Sequence, residues 1–238
     1  RTVATVTYFR KRMQNQIDAM TLIPFDSKSS GDFGFAAYVN NAEATAQGVE
    51  LLLHHEPGAH ARGSLSYGYM VTEGVSEDVD QNIRRAQWGF DVAPVVVPLS
   101  WDQRHTVKAD VAFDIADVFR TNIVFLYNSP RPYTYYPTRD GRTPADTSII
   151  FLPNNARMGH VLFLNVKMSF DVTLSDRIRG TFALDGRNVL NAQNIRWMDS
   201  SGRVGGELGD PSAYYDPRRI RLSLELRLDS GSSPSGSP

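Results

Sequence analysis

The sequence predicts an all-β protein, an antiparallel up-and-down meander of about eight long strands. Three observations predict it. Apolar residues recur at every second position through long segments, and helical periodicity is nearly absent. Several segments run about 11–14 residues, against the ~5–6 usual in soluble sheets. The connections between them alternate between short and long.

Composition narrows the classes. The 238 residues suffice for one large β domain or two small ones. A formal charge of −1, from 25 basic and 26 acidic residues, provides no field that would favour nucleic acid or anionic lipid. With no cysteine there is no disulfide framework and no cysteine-based zinc site. The longest apolar run, VAPVVVPL from Val92 to Leu99, is short and broken by Pro94 and Pro98, so no transmembrane helix is expected.

The strands are expected near residues 2–17, 37–54, 62–73, 103–115, 120–129, 159–174, 179–190 and 217–228. The first opens the sequence as RTVATVTYFRKR, already alternating and unlike a signal peptide. YVNNAEATAQGVELLL and GSLSYGYM supply the second and third. In the fourth, Val107, Ala109, Val111, Phe113 and Ile115 oppose Lys108, Asp110 and Asp114. The fifth follows the tight ADVFR connection. In the sixth, Leu162, Leu164, Val166, Met168, Phe170, Val172 and Leu174 share a face, with Asn165, Lys167, Ser169, Asp171 and Thr173 on the other. The seventh follows SDRIRG, and the eighth sets Ile220, Leu222, Leu224, Leu226 and Leu228 against Arg219, Arg221, Ser223, Glu225 and Arg227. The tail 229–238, DSGSSPSGSP, is expected to be a disordered polar segment, leaving 1–228 as the β portion.

Short connections at Glu56–Gly63, Ala116–Arg120 and Ser175–Gly180 interleave with long ones at Asp18–Ala36, Gly74–Trp101, Pro130–Gly159 and Asn191–Asp216. Such a meander has one end of tight turns and one of large loops, the asymmetry of bacterial outer-membrane barrels. Eleven residues at ~3.3 Å each and a tilt near 45° cover ~26 Å, close to the ~25 Å apolar band of such a barrel. The greasy face would then meet lipid and the charged face a wet lumen.

Order and motif together resemble the C-terminal part of a TonB-dependent outer-membrane receptor. The resemblance is carried by YFRKRMQNQI (Tyr8–Ile17), YVNNAEATAQGVELLL (Tyr38–Leu53), GSLSYGYM (Gly63–Met70) and LSWDQRHTVKADVAF (Leu99–Phe113). DGRNVLNAQN (Asp185–Asn194) and YYDPRRIRLSLELRL (Tyr214–Leu228) complete it. Within these, Gly48-Val49-Glu50, the WDQRH of Trp101–His105, Asn188-Val189-Leu190-Asn191 and Pro217-Arg218-Arg219 match the family's pattern in family order. The resemblance implies a 22-stranded barrel filled by an N-terminal plug, so the sequence reads as roughly its last third. It implies as partners the outer-membrane lipid, the plug, the inner-membrane TonB complex acting through the plug, and the barrel assembly machinery. The last strand departs from the pattern by ending on Leu228 rather than an aromatic residue. The implied activity is energy-coupled uptake of a siderophore, cobalamin or oligosaccharide, with no covalent chemistry.

Candidate ligand residues are loop aromatics beside arginines, which can stack on and hydrogen-bond a planar, anionic or sugar-like molecule. They are Trp88, Arg131, Tyr133, Tyr135, Tyr136, Arg139, Trp197, Tyr214 and Tyr215. Tyr67, Tyr69 and Tyr127, near strand ends, suit an interfacial girdle instead. Lys108, Asp110, Lys167, Asp171, Arg219, Arg221, Glu225 and Arg227 are expected to line the lumen and face the plug.

Other clusters carry less. HHEPGAH (His54–His60) has the residue types of a metal site, but adjacent strand residues His54 and His55 point to opposite faces. Ser100, Asp102 and His105 fit a hydrogen-bonded cluster at the outer rim better than an acid–base site. Gly205, Gly206 and Gly209 lack the strand–helix setting of a phosphate loop and serve as hinges. No catalytic residue, cofactor or metal is assigned. Two other classes fit the patterning, a soluble all-β carbohydrate- or ligand-binding module and an outer-membrane enzyme on a small barrel. The first must cover its apolar face with a second layer and the second needs a clustered nucleophile and base.

Overall fold

The computed structural model describes residues 1–22, 35–56, 58, 60–76, 79–81, 83, 95–115, 118–136, 152–175 and 177–228. Among the described residues eleven strands follow one another: β1 (Thr2–Leu22), β2 (Phe35–His55), β3 (Ala61–Gly74), β4 (Val97–Pro98), β5 (His105–Ile115) and β6 (Phe119–Asn128). Then come β7 (Pro132–Tyr133), β8 (Ala156–Arg157), β9 (Val161–Ser175), β10 (Ile178–Arg187) and β11 (Arg219–Leu228). The eight long strands form one antiparallel meander in the order β1-β2-β3-β5-β6-β9-β10-β11, with β4 added on β3. β7 and β8 pair separately within a loop. Among the described residues, strands β1 and β11 are the two edges of the sheet and do not pair with each other.

Each expected strand is present, with its ends moved. β1 runs on to Leu22 and β2 begins at Phe35, so the first long connection is shorter than expected. The alternation fails there because the β1–β2 register slips on either side of Gln16, with Asn15 in a left-handed conformation (φ 56°). β10 stops at Arg187 because Asn188 turns left-handed (φ 47°). The tail 229–238 lies outside the described residues.

Register shows what patterning could only suggest. Ile115, Phe119, Phe170, Phe182 and Leu224 stand opposite one another in turn, one apolar row across five strands. One residue along, Asp114, Arg120, Ser169, Ala183 and Ser223 form the matching row on the other face. The apolar row is open. Leu222 is 78% exposed and Leu224 53%, and no second sheet covers them among the described residues. A soluble sandwich would bury this face.

Buried residues concentrate elsewhere. Of the five largest fully buried side chains, Leu99, Asn188, Thr72, Asp18 and Asp102, four are polar. Buried apolar positions on the wall are mostly small, such as Ala42, Ala44, Ala46 and Ala112. Gly48 belongs with them, because a Cβ there would stand 2.1 Å from the Tyr69 carbonyl and 2.9 Å from the Phe9 ring.

Candidate functional site

The long-loop end of the sheet is held by a buried carboxylate. Asp102 has no exposed surface. Its Oδ1 accepts from the Thr72 amide at 2.8 Å, and its Oδ2 from Arg104 Nε at 2.8 Å and Arg157 Nη2 at 2.5 Å. Arg157 also donates from Nη1 to the carbonyls of Asp102 (3.0 Å) and Pro130 (2.8 Å). The hydrogen bond to Asp102 raises the Arg104 pKa, against the opposing effect of burial. His105 turns away, its Nδ1 at 2.9 Å from the Tyr67 hydroxyl and its ring against Tyr67 and Tyr69. Asp102 and His105 therefore join two different groups of partners at the rim and do not form the single cluster expected from the sequence.

Arg157 carries this anchor into the third long loop. It pairs with Pro132 in the β7–β8 ladder, which also sets Tyr133 opposite Ala156. Asn155 ties the two sides of the loop together, its Oδ1 accepting from the Tyr135 amide (2.7 Å) and its Nδ2 donating to the Tyr135 carbonyl (2.9 Å). The rings of Tyr133 and Tyr135 meet edge to face at 6.5 Å. Burial, followed by the charges of Tyr135 and Asp199, raises the Tyr133 pKa.

The last long loop docks on this one. The Tyr136 amide donates to Ser200 O (2.6 Å) and Arg131 Nη2 to Arg196 O (2.8 Å). Arg196 lies over the Tyr215 ring at 5.4 Å, and Tyr215 meets Phe163 edge to face at 5.7 Å. Asp199 organises the turn: Oδ1 accepts from Ser201 N (3.0 Å), Ser201 Oγ (2.7 Å) and Arg203 N (2.8 Å). Burial would raise its pKa, but these bonds from Ser201 and Arg203 outweigh it and the net direction is down. Gly205, Gly206 and Gly209, expected in this loop, take positive φ, and so does Gly202.

Two asparagines tie this loop to the sheet. Asn194 copies a strand partner, accepting from Leu162 N (2.7 Å) and donating to Leu162 O (2.8 Å). Asn188 donates to the carbonyls of Ala192 (3.0 Å) and Asp216 (3.2 Å) and accepts from Ala192 N (3.0 Å).

The polar face of the sheet is concave, since one cavity of about 460 Å³ is lined from β3 across to β11, including Arg62, Arg120, Lys167 and Arg227. Its ions are mutually paired in part. Arg120 meets Asp171 at 2.6 Å, Asp171 also accepts from Thr181 at 2.7 Å, and Arg221 meets Asp185 at 3.1 Å. Asn122 donates to Asp110 at 2.6 Å, and Arg227 pairs with Glu225 at 2.8 Å. Lys108 and Asp110 line a second cavity nearer the loops, and Arg219 lies on the same face as Arg221, two residues away. All eight residues expected on the lumen side share this face.

Of the loop candidates, Arg131, Tyr133, Tyr135, Tyr136, Trp197, Tyr214 and Tyr215 fall in the two docked loops. Tyr136 is buried in their junction, whereas Trp197, Tyr214 and Tyr215 are exposed. Trp88 and Arg139 lie outside the described residues. Tyr67, Tyr69 and Tyr127 stand at the loop end of the apolar face, in register with Val107 and His105. His54 and His55 fall on opposite faces, opposite Ser64 and Gly63. Arg157, Arg196 and Asp199 are the organising residues that patterning missed. The partners of Arg157 and Arg196 come from distant segments. Asp199 could have been found, because Asp-Ser-Ser-Gly is a turn composition.

No family model matches the sequence, and no curated protein is matched. Solved structures do match. The outer membrane transporter YddB from Escherichia coli superposes with a TM-score of 0.61 at 11% identity, over 95% of this chain and 30% of that one. The ferripyoverdine receptor of the outer membrane of Pseudomonas aeruginosa gives 0.58 at 12%, over 95% and 25%. A mutant ferric enterobactin receptor from Pseudomonas aeruginosa gives 0.55 at 17%, over 95% and 29%. The chain thus spans under a third of the length of these structures. A single meander of long strands, apolar on one face, polar and concave on the other, with the described parts of its third and last long connections docked together at one end, is the fold of a wall segment of an outer-membrane receptor barrel.

Proposed function

We propose that the chain forms part of the barrel of a TonB-dependent receptor in the bacterial outer membrane, taking up a scarce solute such as a siderophore, cobalamin or an oligosaccharide. The carrying observation is the uncovered apolar row Ile115-Phe119-Phe170-Phe182-Leu224, backed on the opposite face by charge. Only a solvent that is itself apolar accepts such a surface without a second layer. Along β6, Tyr127 and Phe119 are eight positions apart, or ~26 Å of strand. Phe119 thus stands at the turn end of this apolar face and Tyr127 at the loop end, a span close to the ~25 Å apolar band of an outer-membrane barrel.

The docked third and last long loops form the ligand-capturing surface. Trp197, Tyr214 and Tyr215 present rings, Arg131 and Arg196 hold the two loops together, and Tyr133 and Tyr135 stiffen the junction. The concave face lines the lumen, where its charges meet an N-terminal plug. The inner-membrane TonB complex moves that plug, and the barrel assembly machinery inserts the strands. No residue here performs covalent chemistry.

Leu224→Arg and Ser223→Arg in the intact receptor test the lipid face. Arginine near a bilayer midplane costs roughly 2–4 kcal/mol. Leu224→Arg is expected to deplete folded, heat-modifiable barrel from outer-membrane fractions while Ser223→Arg leaves it unchanged. Equal tolerance at both positions would refute the assignment.

A further inference from the structure

The terminal hairpin is charged out of balance with the wall beside it. On the concave face of β10 and β11, Arg187 stands directly opposite Arg219, and Arg179 directly opposite Arg227. Like charges in direct cross-strand register repel. Thr181 and Glu225, Ala183 and Ser223, and Asp185 and Arg221 fill the positions between. This face of the hairpin therefore holds five arginines against one aspartate and one glutamate. β9, the next strand inward, balances Lys167 with Asp171. The carboxylates of the hairpin are already engaged. Asp185 Oδ2 meets Arg221 at 3.1 Å, while Asp185 reaches Arg187 only at 4.0 Å, and Glu225 meets Arg227 at 2.8 Å. Arg219, at the loop end of β11, has no ion-pair partner among the described residues, and its neighbour across the ladder has the same sign.

β11 has a neighbour on one side only. The backbone N–H and C=O groups of its other edge pair with no strand among the described residues. In a membrane wall such an edge must be taken by another strand, because hydrocarbon offers those groups no partner. The opposite edge of this sheet does not suit the charge. The concave-side residues of β1, which are Val3, Thr5, Thr7, Phe9 and Lys11, include one base and no carboxylate. Neither closure of the sheet on itself nor a second copy set edge to edge would neutralise Arg219.

We propose that the strand pairing with the free edge of β11 lies outside the described residues and carries an aspartate or glutamate on its concave side, next to Arg219. That carboxylate forms a cross-strand ion pair with the Arg219 guanidinium and offsets the repulsion from Arg187. The sign of the β11 edge then selects its neighbour: a strand with acid at this position fits, and a strand like β1 does not. The inference rests on the barrel reading above and deepens it by naming the chemistry of the seam at which β11 joins the rest of the wall.

Two charge reversals in the intact receptor separate the two sides of β11. Arg187→Glu and Arg219→Glu each turn the like-charged pair into an opposite-charged one. By the described neighbours alone, Arg219→Glu is the better change. It puts a carboxylate two residues from Arg221, whereas Arg187→Glu puts one two residues from Asp185. An acid beyond β11 inverts that order. The unfolding midpoint of Arg219→Glu in detergent is expected to fall below those of both wild type and Arg187→Glu, and a midpoint at or above either refutes the proposal. Should Arg219→Glu fail to insert, Arg219→Lys supplies a second measurement, because it keeps the charge and adds an amine that a carbodiimide joins to a touching carboxylate. Peptide mapping is expected to place that bond on an aspartate or glutamate of a wall strand. No such bond, or a bond to a segment inside the lumen, refutes the proposal. Wild-type receptor is scored first for a heat-modifiable form in outer-membrane fractions. Its absence would count against the barrel itself, and its presence leaves the later outcomes to judge the acidic neighbour alone.

Discussion

The wall of the sheet and its loop-end rim are built on opposite principles. Across β5, β6, β9, β10 and β11 the large apolar side chains share one face and lie half-buried to exposed, most open on β11, while charges occupy the concave side. At the rim, by contrast, side chains are buried, and most of the large ones are polar: Asp102, Thr72, Asn188 and Asn194. The wall holds its shape through backbone ladders, and no second sheet covers its apolar face among the described residues. The rim must hold its shape by itself, and does so with the hydrogen bonds of Asp102, Asn188 and Asn194, which a buried polar group needs in order not to be costly. The buried Thr72 hydroxyl, by contrast, has no partner among the described residues. Mutations at the two regions should therefore fail differently, in membrane residence for the wall and in loop order for the rim.

The largest expected effect is at Asp102. Asp102→Ala leaves Arg104 and Arg157 without their shared carboxylate and frees the Thr72 amide. Removing one partner from a buried ion pair costs about 3–5 kcal/mol, with the partly exposed arginines placing this one toward the low end. The loss should appear as trypsin cleavage after Arg104 or Arg157 in intact cells, while the β-sheet spectrum stays unchanged. A protease-resistant Asp102→Ala receptor would show that the rim does not depend on this carboxylate. Leu224→Arg comes next, and it should fail at the wall, depleting folded barrel while the surviving fraction keeps its loops protected.

How much of this was written legibly in the sequence follows the same division. The wall was legible because a strand's period of two is a local property: each lumen-side residue shows its face by parity alone. Turn and loop ends were legible because their lengths alternate. The rim was not. Arg157 is a lone arginine whose carboxylate lies 55 positions earlier, and no spacing rule connects the two. The WDQRH segment marked the place, but parity offered no means of deciding that Asp102 turns inward while His105 joins the tyrosines. The end of β1 was misplaced because the slip around Gln16 resets the alternation. Tyr136 carried the same sequence signal as Tyr133 and Tyr135, and only tertiary packing distinguishes the buried ring.

A smaller effect is expected at Asn188, whose side chain bonds Ala192 and Asp216 from a left-handed backbone. Asn188→Ala removes those bonds from a buried position, costing about 1–3 kcal/mol. Asn188→Gly relieves the backbone strain without restoring them. If the bonds matter more than the conformation, both variants should lower the receptor's unfolding midpoint, glycine less. A glycine variant equal to wild type would assign the residue's value to its φ angle alone.

The smallest expected effect is a pH dependence confined to the rim. Asp199 has a folded-state pKa below its ordinary 3.8, burial being outweighed by the bonds from Ser201 and Arg203. A lowered folded value means the turn gains stability that is fully present above pH 3.8 and is lost as pH falls through the folded value. Trp197 reports on it, since its indole lies beside Gly206 in the same turn. With Trp88 and Trp101 replaced by phenylalanine, fluorescence should hold steady through neutral pH and change only below pH 3.8, while the β-sheet spectrum stays constant. Asp199→Asn should abolish that transition, because an amide keeps the geometry and cannot titrate. The same acid transition in Asp199→Asn would place its origin elsewhere in the loops, and a simultaneous loss of sheet signal would mean that rim and wall are not energetically separate.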